Sequence, residues 1–435
     1  MKDPHRMTTI RVAVLAEEPL GWGSGKQYFP LILNKYQWTH DTATYKFYVE
    51  YIYDKDIRKG KLTTSAYDVL LVPGGGVGDA EAIIKGLPIN GKARKWKKQI
   101  SRFIQAGGGY VGICGGAALF TDLIVGDTRK PCTFLERVYN RSSLHLSCVS
   151  SYYKTLACPL FYPLQRNHPD KIGAAAYVFS FAPGYASNGI RIHSGGVPLE
   201  CHINRNHPLF TGFPHDTERM RWWGGPALVV PDKPDREVAV LATYPSQDPS
   251  DNTATRIDAW IYKGGIHGFF KGFLKAWKFI LTHNDTLKNV LLYTYFMAGP
   301  WIPSEKKISL DYASRPCMTA EIYPNENRGR ILLCATHPEY MVWWNGSIEK
   351  AHASSHTSLA TGLYYWKNIK PISRSQDTEV TYGWRVVRRC VAWAGKVPPD
   401  HLPPIAKTSI TQKQKSAIKN NIFWDGSLRN QMINI

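Results

Sequence analysis

The chain has 435 residues, enough for two or three domains or for one large α/β fold with insertions. With 43% hydrophobic and 12% aromatic residues it has ample material for a core, which excludes wholesale disorder. Its 54 lysines and arginines against 34 aspartates and glutamates leave a net charge of +20, yet these basic residues are dispersed and accompany no zinc-finger, KH or RRM signature, so no specific nucleic-acid partner is expected, only weak, salt-sensitive binding.

Taken in order, Arg11 to Ala16 reads as a buried strand. It runs into Glu17-Glu18 and a glycine-rich loop, Gly21-Trp-Gly-Ser-Gly25. That loop fails as a phosphate loop, because three residues rather than four separate its glycines and Gln27 follows Lys26. Tyr45, Phe47, Val49, Tyr51 and Tyr53 alternate with mostly polar residues, the period of a strand with one buried face. Asp68 to Val72 is a third strand, ending in Pro73-Gly-Gly-Gly76. The cluster Lys92-Ala-Arg-Lys-Trp-Lys-Lys98 belongs to a helix whose apolar face is Trp96, Ile100, Phe103 and Ile104, leaving the lysines wet.

Next comes Gly107-Gly-Gly-Tyr-Val-Gly-Ile-Cys-Gly-Gly116, a short apolar strand ending on one cysteine, followed by the helical opening Ala117-Ala-Leu-Phe120. Glycines on both sides permit a sharp strand–turn–helix that pushes Cys114 out of the sheet, a nucleophile elbow, and the following helix N-terminus favours its thiolate. Residues 121–330 break the simple alternation with aromatic and β-branched segments, among them Ala174–Phe181, Arg221-Trp-Trp-Gly-Gly-Pro226 and Val238–Tyr244. The stretch 264–303 is more helical and reads as an insertion. Ile331-Leu-Leu-Cys-Ala-Thr336 is a further buried strand, running into His337-Pro-Glu339. A helix is expected over 377–394, with Val380, Trp384, Val387 and Val391 on one face, and a basic tail beyond the prolines at 398–399 and 403–404.

Strands alternating with helices imply a parallel sheet covered on both faces, whose reactive crevice lies at the strands' carboxyl ends. Despite the long gap between them, the strands before Cys114 and His337 are expected in one sheet. Those ends bring together Cys114, His337 and Glu339, the types needed for a thiol nucleophile, its base and the group orienting that base. Oxyanion donors would be the backbone N–H of Gly115 with that of Gly75 or Gly76, and Glu17 or Glu18 are accessory candidates at the first strand's end.

Gly112-Ile-Cys-Gly-Gly116 with His337-Pro-Glu339 resembles the class I glutamine amidotransferase superfamily. Adding Val72–Gly76, Arg221–Pro226, Ala239–Tyr244 and Gly329–Glu339, the chain is more narrowly similar to the amidotransferase-like N-terminal domain of biotin–protein ligases and its stand-alone relatives. The resemblance implies a flavodoxin-like sheet and a Cys-His-Glu triad at Cys114, His337 and Glu339. It departs at Ala118, where glutamine is usual in true glutamine amidotransferases, which argues against glutamine as substrate. It implies a cysteine-dependent hydrolase or amidase acting through a thioester on an unidentified amide-like substrate. The alternative is a catalytically inactive ligand-binding or regulatory module on the same fold.

The domain expected is 1–345, with insertions within 121–330, followed by a C-terminal extension over 346–435 holding one packed helix. No cofactor and no metal are expected. Cys201-His202 with His207, even joined by Cys148 or Cys158, matches no zinc spacing. The aromatic pairs Trp222-Trp223 and Trp343-Trp344 suit core packing better than ligand stacking. Eight cysteines without a Cys-x-x-Cys, no signal-peptide pattern and no apolar run of bilayer length give the expectation of a cytoplasmic protein with reduced thiols and no membrane partner. Oligomeric state is not read from the sequence.

Overall fold

The structure is a computed structural model. It describes residues 7–16, 28–74, 91–125, 143–153, 197–222, 225–247, 258–262, 264–283, 301–307, 311–343 and 380–405, with a few shorter pieces between them. Glu17, Glu18, Gly75, Gly76 and the Ala174–Phe181 segment lie outside the described residues.

A ten-stranded mixed sheet organises the chain. Its strands are β1 (Met7–Leu15), β2 (Gln37–His40), β3 (Ala43–Ile52), β4 (Val69–Val72), β5 (Gly109–Ile113), β6 (Val197–Ile203), β7 (Thr217–Trp222), β8 (Val238–Thr243), β9 (Pro316–Ile322) and β10 (Arg330–Cys334). They lie in the order β7-β6-β8-β9-β10-β5-β4-β1-β3-β2. The five strands from β10 to β3 are parallel. Antiparallel strands extend both ends, β2 on one side and β9, β8, β6 and β7 on the other. The expected neighbourhood of the Cys114 and His337 strands holds: β10 pairs directly with β5, Ile331 opposite Tyr110 and Cys334 opposite Ile113.

Side-chain alternation divides the core between the two faces. Val12, Val14, Leu71, Val111, Leu332 and Cys334 point to one cluster, shared with helices α1 (Tyr28–Leu33) and α6 (Trp384–Ala394). Ala13, Leu15, Leu70, Val72, Tyr110 and Leu333 point to the other, shared with α2 (Asp54–Arg58), α3 (Gly91–Gln105) and α4 (Gly115–Phe120). Both faces of the central strands β4, β5 and β10 are therefore buried, which is why β4 and β10 are near-continuous runs of Val, Ile and Leu, whereas β3 keeps exposed residues on its outer half. Among the described side chains of α3 the buried ones are the four predicted, Trp96, Ile100, Phe103 and Ile104. Lys97 is half-buried rather than wet and donates to the Ser143 carbonyl.

Two element boundaries differ from the sequence expectation. On β3 the alternation holds from Tyr45 to Val49, but Tyr51 and Tyr53 are exposed, while Ile52 buries on the opposite face. The predicted helix over 377–394 begins only at Trp384. Val380–Tyr382 forms instead a strand, β12, antiparallel to β11 (Met341–Trp343). Gly383 separates the two, passing so close to Pro338 that a Cβ there would lie 2.8 Å from its carbonyl oxygen. Within 264–303, Gly265–His283 is helix α5, whose small residues Gly268, Gly272 and Ala276 are buried while Ile266, Phe270, Leu274, Trp277 and Leu281 are exposed. Among the described residues no helix is long and apolar enough to cross a membrane.

Candidate functional site

Cys114 ends β5 with φ 49° and ψ −109°, a conformation that side chains bearing a Cβ rarely adopt. Three contacts impose it. The Cys114 N–H donates to the Cys334 carbonyl at 2.6 Å, continuing the pairing of β5 with β10. Gly116 follows with no room for a side chain, since a Cβ would lie 2.2 Å from the Val72 carbonyl. The Tyr110 hydroxyl donates to the Gly116 carbonyl at 2.5 Å, while its ring stacks on Phe120. The expected strand, turn and helix are present, although α4 is only six residues long. The N–H of Gly115, first in that helix, makes no hydrogen bond among the described residues.

His337 follows the neighbouring strand β10, so adjacent parallel strands carry both residues to the same sheet edge. Its Nδ1 lies 2.7 Å from Glu339 Oε1, and its ring also hydrogen-bonds Cys114. The imidazole thus joins thiol and carboxylate. Burial works against a charged His337, but Glu339 and Cys114 outweigh it and raise its pKa to about 9. Glu339 is fully buried, and its Oε2 accepts no hydrogen bond among the described residues. A buried carboxylate left half-satisfied is costly, and such groups concentrate where function requires them.

The loop holding His337 is clamped from several sides. Its N–H donates to the Arg221 carbonyl at the end of β7, 2.7 Å away. Tyr340 stacks on the imidazole at 4.7 Å between ring centres, and the Arg221 guanidinium lies over the Tyr340 ring at 5.2 Å. Gly225 passes against the Ala335 carbonyl, and the Trp384 indole donates to the Glu339 carbonyl at 3.0 Å. Gly74 lies over the pair itself: a Cβ there would sit 2.4 Å from His337 Cε1 and 2.9 Å from Cys114 Cβ.

The structure therefore brings together Cys114, His337, Glu339 and Gly115. The other oxyanion candidates, Gly75 and Gly76, and the accessory candidates, Glu17 and Glu18, fall outside the described residues. Sequence reasoning did not assign roles to Gly74, Arg221, Tyr340 or Trp384. For Arg221 a signal existed, because it opens the Arg-Trp-Trp-Gly-Gly-Pro motif; for Trp384 the signal was only its place on the apolar face of the expected helix, which named no partner. Trp222 is core, its indole donating to the Gly225 carbonyl. Among the described residues Cys201, His202 and His207 do not come together as a metal-binding group.

The other thiols are placed differently. Cys317, Cys334 and Cys390 are buried, which pushes their pKa values up, that of Cys334 to about 12. Cys148 is half-buried and is also pushed up to about 12, by burial and by Glu321. In comparisons with known proteins, no protein-family model matches the chain and no curated protein matches it.

Proposed function

We propose that the protein is a cysteine-dependent hydrolase or amidase of the glutamine amidotransferase-like type, with Cys114 as nucleophile, His337 as proton carrier and Glu339 as the group that orients it. The observation that carries this reading is the single imidazole joined to Cys114 on one side and to Glu339 on the other, at the ends of adjacent strands. The order β3-β1-β4-β5-β10 supports it as well, being the 2-1-3-4-5 order of flavodoxin-like sheets with the site at the strands' carboxyl ends. The positive φ of Cys114 fits a nucleophile elbow.

In this mechanism the sulfur attacks the carbonyl carbon of an amide as His337 holds the thiol proton. The oxyanion of the tetrahedral intermediate takes the Gly115 N–H, with a second donor from the Gly75–Gly76 turn. Collapse breaks the C–N bond, and His337 passes its proton to the departing amine. Water then attacks the thioester carbonyl, giving its proton to His337, and the acid leaves as the thiol re-forms. Ala118 argues against glutamine, so the substrate is an amide of another shape.

The test is a time course of labelling with limiting iodoacetamide at neutral pH, read by peptide mass spectrometry. Cys114 is expected to label before Cys148, Cys317, Cys334 and Cys390, and His337→Ala to slow it. Glu339→Gln should act in the same direction but less. Labelling of Cys114 no faster than Cys317 or Cys390, or indifferent to His337, would remove the triad and leave the inactive binding module.

A further inference from the structure

At the β2 edge of the sheet, four strands from the one that carries Cys114, two histidine–aspartate pairs meet. His40 ends β2 and Asp41 opens the two-residue turn to β3, with φ 50°. Asp400 and His401 belong to the short 3-10 turn Pro399–His401 that follows α6. The two imidazole rings lie 4.3 Å apart, centre to centre. One donor atom from each of His40, Asp41 and His401 lies within 4.8 Å of the other two. We propose that His40, Asp41 and His401 form a divalent-cation site of the zinc type, which fastens the β2–β3 hairpin to the turn after α6.

Three features favour a cation over a chance cluster. The first is spacing. Ligand bonds of about 2.0–2.1 Å in a tetrahedral zinc site put neighbouring donors about 3.3 Å apart. His40 Nε2 already lies 3.5 Å from Asp41 Oδ2, and His401 Nε2 lies 3.6 Å from Asp400 Oδ2. His40 and Asp41 are 38% and 80% exposed, so rotation of their side chains can close the remaining gap.

The second is orientation. His401 Nδ1 is 2.6 Å from the Tyr45 hydroxyl, and the His401 carbonyl accepts from the Trp38 indole at 2.7 Å. Trp38 and Tyr45 are themselves buried and stacked at 5.2 Å. A partner on one ring nitrogen that fixes the ring and leaves the other for a metal is the usual outer arrangement of a metal-binding histidine.

The third is charge. Asp41 as ligand and Asp400 beside it offset a dication locally, in a chain whose net charge of +20 otherwise repels one. Two imidazoles with one carboxylate select zinc, cobalt, nickel or copper over magnesium or calcium, which prefer all-oxygen sites. Three protein ligands leave a fourth position for water or for Asp400.

The experiment uses the full-length, untagged chain, stripped with chelator and titrated with cobalt(II) and then zinc(II). One cobalt per chain should bind with the visible bands of tetrahedral nitrogen–oxygen coordination and without the near-ultraviolet band of a cobalt–thiolate bond, which would betray the cysteines. Zinc should displace it and raise the melting temperature. His40→Ala and Asp41→Asn should each weaken binding at least about tenfold and abolish that rise. Asp41 is exposed and His40 partly so, and Asn tolerates the left-handed turn position, so the variants should remain folded, which their far-ultraviolet circular dichroism checks. His202→Ala, on β6, should bind as the unaltered protein does. No stoichiometric binding, a thiolate spectrum, or variants that bind unchanged would overturn the site.

Discussion

A histidine buried among apolar neighbours ordinarily loses its proton, because burial penalises the charged form. His337 departs from this because Glu339 lies 2.7 Å from Nδ1 and Cys114 bonds the ring. Its pKa of about 9 exceeds the ordinary value of about 6.5, so the bound proton stabilises the fold fully below pH 6.5 and that contribution fades as pH rises to 9. Glu339→Gln removes the chief raising influence. The melting-temperature difference between the unaltered protein and Glu339→Gln should therefore shrink in favour of the variant from pH 6.5 to pH 9. A difference constant over that window would mean that His337 is neutral in the fold. Gly74 is the other residue on which the pair depends, though it carries no chemistry. A methyl group at Gly74 overlaps His337 Cε1 and Cys114 Cβ together, so Gly74→Ala should displace the imidazole. Labelling of Cys114 should then become as slow in Gly74→Ala as in His337→Ala, and adding the second substitution should change it little further.

At the scale of elements, the loop Ala335–Tyr340 is shaped by what it presses against. Gly225 and Gly383 are glycines because backbone occupies the space of a Cβ, 1.8 Å from the Ala335 oxygen in one case and 2.8 Å from the Pro338 oxygen in the other. Neither obstacle is a side chain that could swing aside. Gly225→Ala should thus destabilise by about 1–3 kcal/mol or more, seen as a lower urea midpoint at unchanged slope. An unchanged midpoint would show that this approach is not maintained. Gly383 also explains why the helical periodicity over 377–394 misled. Val380 falls in phase with Trp384, Val387 and Val391, yet the chain turns at Gly383, and Val380–Tyr382 satisfies its backbone by pairing with Met341–Trp343. Periodicity reports which residues seek a core and is silent about a partner strand. The parallel strands were legible for the opposite reason: Val69–Val72 and Ile331–Cys334 are too short for helices, bounded by turns, and apolar on both faces.

At the scale of the whole molecule, the sequence located β10 beside β5 and the residues at their ends, because each strand end carries its own local signature. It could not locate contacts made by residues with no signature, such as Tyr45 with His401, 356 positions apart, or Arg385 with Glu218, 167 apart. The second contact joins α6 to β7, whose last residues hold His337 through the Arg221 carbonyl. Arg385 Nη2 lies 2.6 Å from Glu218 Oε2, with the two side chains only 18% and 9% exposed, and the guanidinium also covers the Phe213 ring. Burial nevertheless raises the Glu218 pKa, the arginine offsetting it only in part, so the carboxylate is tolerated rather than favoured. The two partners should then be unequal under substitution. Arg385→Met leaves a buried charge uncompensated and should cost about 3 kcal/mol or more. Glu218→Gln leaves the arginine without its counter-charge but keeps a hydrogen-bond acceptor for a guanidinium twice as exposed as the carboxylate, and should cost less than Arg385→Met. Combining Arg385→Met with Glu218→Leu should recover most of the loss, since an apolar pair of similar volume replaces an ion pair at little cost. Urea unfolding of the three proteins measures all of this. Equal losses in both single variants would show that the pair acts by its mutual attraction, and that α6 is held to the sheet by charge rather than by its buried face.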